Sequence, residues 1–138
     1  MFQSKKRLYK IHVVLLANSL FSIKFVVQTL THIMVKEVTV HELKKMLDEN
    51  KDFQLIDVRE EFEYDTANIG GELIPLGNIM LEADKIEKDK QVVIHCRSGA
   101  RSAAAIMQLE KEHGFTNLYN LKGGILAWIA EIDNTLSL

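Results

Sequence analysis

The stretch Val92-Val93-Ile94-His95-Cys96-Arg97-Ser98-Gly99-Ala100-Arg101-Ser102, followed by Ala103-Ala104-Ala105-Ile106-Met107, constrains the fold more than any other part of the chain. Apolar residues that enter a loop and turn at once into a small-residue helix read as a buried strand, a tight turn and a helix start. Such a turn points backbone N–H groups inward at a helix N-terminus. The dipole adds roughly half a positive charge there, so the turn is an anion-binding concavity. Cys96 stands at that concavity. Arg97 and Arg101 put two permanent cations beside it, surroundings that lower a thiol pKa from about 8.5 to between about 3.5 and 7.5 and predict a thiolate at neutral pH. A lone cysteine is, as a residue type, most often a small buried hydrophobe. Here Ser98, Gly99 and Ala100 are small enough to let the backbone close around a ligand, and Cys96 reads as a nucleophile.

The chain has 138 residues, 47% hydrophobic and 26% charged, the proportions of one ordinary globular domain. A net charge of -2 with no extended lysine and arginine face gives no expectation of a nucleic-acid partner. The single cysteine excludes an intramolecular disulfide and agrees with a reducing, cytoplasmic setting. Histidines at 12, 32, 41, 95 and 113 lack partners at ligand spacing, so no metal or other cofactor is expected and each is read as a surface or loop residue.

Residues 1–34 read differently from the rest. Lys5-Lys6-Arg7 precedes a mostly apolar run from Ile11 to Ile23, the outline of a signal or anchor. His12, Asn18, Ser19, Ser22, Lys24 and Gln28 dilute that run below what a spanning helix of about 20 residues needs, and a membrane partner is not expected. The preferred reading is an N-terminal extension outside the domain, with Met34 as the natural start; export or anchoring through residues 1–34 is the alternative.

From Val35 onward strand and helix signals alternate, the pattern of an α/β domain with a mainly parallel sheet and helices on both faces. Thr39 and Glu42 form a capping box that opens a helix from Val40 to about Glu49. Phe53 to Val58 reads as a buried strand, Phe62 and Tyr64 as a helical turn terminated by Gly70-Gly71, and Glu72 to Ile74 as a brief strand. Ile79, Leu81, Ala83 and Ile86 predict a short helix. A strand over Val92–His95, a helix over Arg101–Glu112 with Gly114 as its C-cap, a strand over Leu118–Leu121 and a helix over Ile125–Ile132 complete the pattern.

Four segments in this order, Leu55-Ile56-Asp57-Val58-Arg59-Glu60, Ala67-Asn68-Ile69-Gly70-Gly71, His95 to Ser102 and Leu121-Lys122-Gly123-Gly124-Ile125-Leu126-Ala127-Trp128, resemble a single-domain rhodanese, a sulfurtransferase. The resemblance covers Val35 to Leu138 and implies the three-layer rhodanese-like fold. It further implies that Cys96 attacks the outer sulfur of thiosulfate or another sulfane donor, holds it as a persulfide, and passes it to cyanide, a thiol or an acceptor protein. The backbone amides of Arg97, Ser98, Gly99, Ala100, Arg101 and Ser102 would cradle that sulfur, with Arg97 and Arg101 orienting a small anionic donor and stabilising the leaving sulfite. Asp57 and Arg59 are read as scaffold residues near the active loop.

Two other readings stay open. Cysteine phosphatases of related fold place five residues between cysteine and arginine; here four residues, Arg97 to Ala100, separate Cys96 from Arg101, and the smaller ring favours a sulfur atom. Arsenate reduction belongs to the same alternative. A rhodanese-like binding module without chemistry is the other, though such modules commonly lose the cysteine retained here. Strand alternation places His95 on the face opposite Cys96. Gly123-Gly124 is read as a turn, and Trp128 as core. Asn68 and Gly70 depart from the histidine and proline of the common family pattern, which puts the stiffness of that loop in question.

Overall fold

Parallel strands buried on both faces need helices above and below, and the computed structural model shows that arrangement for Val35–Leu138, which forms one compact unit after Met1–Met34. The structure describes residues 19–24, 26 and 34–138. Residues 19–24 and 26 are helical and exposed. The other residues on which the signal, anchor and alternative-start readings rest lie outside the described set. No helix among the described residues is long and apolar enough to cross a membrane.

Strand β1 (Glu37–Val38) leads through helix α1 (Val40–Asp48) to β2 (Phe53–Asp57), helix α2 (Glu61–Thr66) and β3 (Glu72–Leu73). A long connection carrying a 3-10 turn, Ala83–Lys85, reaches β4 (Gln91–His95), helix α3 (Ala100–His113), β5 (Leu118–Leu121) and helix α4 (Gly124–Glu131). The strands pair in the order β1-β5-β4-β2-β3, all parallel. β4 lies at the centre between β2 and β5, so the chain that carries Cys96 leaves the middle of the sheet at its C-terminal edge, where ligand sites of α/β sheets gather.

Alternation along β4 sorts the core. Val92, Ile94 and Cys96 pack with Ile56, Val58, Ile106 and Leu109 on the α3 face. Val93 packs with Val40, Leu43, Leu121 and Trp128 on the face covered by α1 and α4. Thr39 caps α1 as its spacing predicts, with Glu42 Oε2 accepting in return from the Thr39 amide at 2.7 Å. Gly114, with φ of 68°, ends α3 in the left-handed conformation a C-cap needs.

Three expectations are corrected. The turn carrying Phe62 and Tyr64 ends at Ala67, ahead of Gly70-Gly71. The Asn68 side chain does the work of a loop stapler: its Oδ1 accepts from the Gly70 amide at 3.1 Å and its Nδ2 donates to the Tyr64 carbonyl at 3.2 Å, so an Asx turn holds this loop. Ile79 to Ile86 do not make an α-helix. The Gln54 side chain donates to the Lys85 carbonyl at 2.9 Å and accepts from the Glu87 amide at 2.8 Å, drawing the chain out toward β4 after a single 3-10 turn. His95, expected at the surface or in a loop, is wholly buried on the central strand.

One buried charge pair anchors the sheet's C-terminal edge. Arg59, among the largest fully buried side chains, donates from Nε to Asp57 Oδ1 and Oδ2 at 3.0 Å and from Nη2 to Oδ2 at 2.7 Å. Its remaining donors reach the carbonyls of Glu63 at 3.2 Å and Ala67 at 2.7 Å, tying α2 and the segment after it to β2. A buried charge left without its partner costs about 3–5 kcal/mol. Arg59→Ala should lower unfolding stability by that amount in urea titration, whereas Lys44→Ala, which breaks the exposed Lys44–Asp48 pair, should change it by less than about 1 kcal/mol.

Candidate active site

The loop after β4 is shaped by what holds its carbonyls. The Ile125 amide donates to the Cys96 carbonyl at 3.0 Å and the Leu126 amide to the Arg97 carbonyl at 3.1 Å. The orphan N–H groups at the start of α4 thus find partners in the active loop, and the loop's own carbonyls turn away from the sulfur. This contact needs Gly124. Its φ is 59°, and a Cβ there would stand 2.5 Å from the carbonyl oxygens of both Cys96 and Arg97. The glycine pair was read as a turn; Gly124 also provides the close approach between helix and loop.

Gly99, with φ of 99°, opens α3. Its amide donates to Cys96 Sγ at 3.1 Å, and the Ser102 hydroxyl lies 3.4 Å from the same sulfur. That hydroxyl is also 2.6 Å from Asn120 Oδ1, while Asn120 Nδ2 donates to the Gly99 carbonyl at 3.2 Å. Ser102 has one proton and two acceptors. A neutral thiol leaves it to Asn120, and a thiolate competes for it with a charge-assisted bond.

Burial is the largest single influence on Cys96 and works against the thiolate. The Ser102 hydroxyl and the amides of Ser102, Gly99 and Ser98 outweigh it, and the thiol stands below its ordinary value. The direction matches the expectation, and these neutral donors act on the sulfur together with the charge of Arg101. Arg101 is engaged elsewhere, with Nη1 and Nη2 each 2.7 Å from the two oxygens of Glu63. Arg97 is exposed and lines a cavity of about 110 Å³ together with Arg59, Phe62, Glu63, Thr66 and Leu138. A larger space of about 610 Å³, walled by Met80, Phe115 and His113 among others, shares no residue with the loop.

His95 and Asp57 are register partners across β4 and β2, with Nε2 3.5 Å from Oδ2. Neither ring nitrogen makes a hydrogen bond. Burial pushes the imidazole down, against the raising effect of Asp57, and Arg59 adds to the lowering. His95 is therefore neutral beside the Asp57–Arg59 pair, on the face opposite Cys96, as alternation predicts.

Of the residues singled out in the sequence, the structure gathers Cys96, Ser98, Gly99 and Ser102 around one sulfur. Ala100 and Arg101 begin α3, Asp57 ends β2, and Arg59 is bonded to Asp57 and to the Glu63 carbonyl of α2. Sequence reasoning missed two participants. Asn120 is a buried amide in the otherwise apolar strand Leu118-Tyr119-Asn120-Leu121, and that polar interruption was its only signal. Glu63 lies 38 residues before Arg101 and carries no local sign of its partner.

A family model, Rhodanese-like domain, matches residues 39–131. A curated relative named "Sulfurtransferase", from Allochromatium vinosum, is 38% identical over 96 residues, 69% of this chain and 89% of the relative. "Probable adenylyltransferase/sulfurtransferase MoeZ" of Mycobacterium tuberculosis is 38% identical over 99 residues, 70% of this chain, which spans only 25% of that longer protein. Among solved structures, a rhodanese-like domain protein from Staphylococcus aureus superimposes with a TM-score of 0.64 at 32% identity, covering 75% of this chain and 98% of its own. With the parallel sheet and the cysteine loop in view, the chain belongs to the rhodanese-like domain family.

Two outcomes follow from the geometry. Gly124→Ala combines a left-handed backbone with a 2.5 Å clash and should cost about 2–4 kcal/mol by thermal unfolding, while Gly70→Ala, with φ of 83° but open space around it, should cost only about 1 kcal/mol. A lowered thiol pKa means that the thiolate persists below the usual midpoint and is lost as pH falls through the lowered one. Iodoacetamide alkylation of Cys96 as a function of pH should accordingly show a midpoint below about 8.5. Ser102→Ala, which removes a donor to the thiolate, should shift it upward and slow alkylation several-fold at neutral pH.

Proposed function

We propose that Val35–Leu138 is the catalytic domain of a sulfurtransferase in which Cys96 carries sulfur as a persulfide. The observation that carries this reading is the Cys96 sulfur set 3.1 Å from the Gly99 amide, with the Ser98 and Ser102 amides and the Ser102 hydroxyl also acting on it. In the first half-reaction the Sγ lone pair forms a bond to the outer sulfur of the donor. The donor's own sulfur–sulfur bond breaks, and its electron pair leaves with sulfite from thiosulfate or with a thiolate from a persulfide. The second half-reaction transfers that outer sulfur to cyanide, a thiol or an acceptor protein and returns the Cys96 thiolate.

The persulfide is anionic at its outer sulfur, so the donors that favour the Cys96 thiolate also suit the intermediate. On this reading Arg97, exposed beside the loop, and Arg101, when it is free of Glu63, meet the anionic remainder of the donor. The four-residue gap between Cys96 and Arg101 makes a ring sized for one sulfur atom, which supports this reading over phosphoryl or arsenate chemistry. Retention of the cysteine supports it over a binding module. The reducing cytoplasm, where a free thiol persists, suits such a carrier.

The test is sulfur loading followed by intact-protein mass. After treatment with thiosulfate or glutathione persulfide and removal of excess donor, the protein should gain the mass of one sulfur atom and lose it on addition of cyanide. Cys96→Ser should show neither the gain nor thiosulfate:cyanide turnover. Loading that survives in Cys96→Ser, or hydrolysis of p-nitrophenyl phosphate faster than thiosulfate is consumed, would overturn the assignment.

A further inference from the structure

Of the two guanidinium groups beside the cysteine loop, one already holds an anion that belongs to the protein. Glu63 Oε1 and Oε2 each accept from Arg101 at 2.7 Å, a two-pronged pair that matches the fork of the guanidinium to both carboxylate oxygens. Oε2 also accepts from the Glu60 amide at 3.0 Å, as part of the turn that starts α2. Below Glu63, Arg59 donates to the Glu63 carbonyl at 3.2 Å and is itself locked to Asp57. Glu63 is therefore fixed through both its backbone and its side chain. Arg101 holds its carboxyl down at about 2, so the carboxylate is ionised throughout the working pH range.

Glu63 and Arg97 also share the wall of the 110 Å³ cavity beside the loop, where Phe62 is 71% exposed. On the sulfur-transfer reading, a donor whose outer sulfur meets the amides around Cys96 has its remainder outside them, where Arg101 lies near enough for its charge and that of Cys96 to act on each other. For thiosulfate the remainder is a sulfonate that carries negative charge and would bind Arg101 through the same fork that Glu63 fills. For a persulfide R–S–S⁻ the charge resides on the sulfur being transferred. Its remainder asks nothing of Arg101 and finds an exposed aromatic ring.

Resting on the sulfur-transfer reading above, we propose that Glu63 is the residue that sets donor choice: by occupying Arg101 it disfavours dianionic donors such as thiosulfate relative to monoanionic persulfides. Both donors react by the same step. The Sγ–S bond forms, the donor S–S bond breaks, and its electron pair departs on sulfite or on R–S⁻, which takes a proton from solvent. No oxidant or reductant enters. The two donors differ in the extra negative charge that thiosulfate brings against the Glu63 carboxylate.

The experiment measures the second-order rate constant for loading Cys96 with sulfur, by intact-protein mass, from thiosulfate and from 2-hydroxyethyl persulfide, a monoanion whose remainder is uncharged. Glu63→Gln should raise the ratio of the thiosulfate constant to the persulfide constant about tenfold, equivalent to about 1.4 kcal/mol. The double variant Glu63→Gln with Arg101→Gln should return the ratio toward that of the unaltered protein, since the freed guanidinium is what thiosulfate gains. Glu63→Asp, which keeps the charge but draws it back, should shift the ratio the same way by less, and it replaces Glu63→Gln if that variant does not fold. Proportional change of both constants would overturn the proposal and leave Glu63 as a support for the loop alone. Failure of the unaltered protein to load from either donor would overturn the sulfur-transfer reading itself, a different and separable result.

Discussion

The contact on which the site depends is the one between the first amides of α4 and the carbonyls of Cys96 and Arg97. Each peptide in a tight loop presents a donor on one side and an acceptor on the other. If the acceptors faced the sulfur, a thiolate there would be repelled. The Ile125 and Leu126 amides lack partners within their own helix, and by taking the two carbonyls they orient the loop with its donors toward Sγ. The chain achieves this only because Gly124 has no Cβ to separate helix from loop. A helix terminus and a loop thus satisfy each other, and an anion site is the result.

Charge is organised around this neutral core of hydrogen bonds. The Asp57–Arg59 pair is wholly enclosed, and its function is geometric: it fixes where α2 stands. From α2 the Glu63 carboxylate reaches α3 and restrains Arg101. His95, which adjoins Cys96 in sequence and is also buried, is kept neutral by its surroundings and faces the other side of the sheet. Proximity along the chain and proximity in the site are therefore different things here. His95 packs toward Asp57 on the other side of the sheet, and Glu63 meets Arg101 from another element.

Most of the fold was legible because its signals are local. The Thr39–Glu42 box, the apolar run into Cys96, the small residues that follow and the Gly114 cap each act within a few residues, and α1, β4 and α3 stand within about one residue of their expected bounds. Legibility failed where a distant group intervened. Gln54 interrupts the segment from Ile79 to Ile86 by bonding to its backbone, and nothing between Ile79 and Ile86 records that. Gly70 stands where the usual pattern has a stiff proline, and its amide donates to the Asn68 side chain, so the departure from that pattern changes the means of holding the loop.

For the site, residue types and spacing pointed to Cys96, the small loop around it and the four-residue interval to Arg101, because a thiol in a tight turn and the interval to the next cation are properties of consecutive residues. Folding settled which groups act on the sulfur. Ser102 gains its partner Asn120 from β5, and Arg101 gains Glu63 from α2, contacts made across 18 and 38 residues. Hydrogen bonds and ion pairs form between surfaces that only sheet pairing and helix packing bring together. The electrostatic state of the cysteine, and the freedom of the arginine beside it, are for that reason properties of the assembled domain.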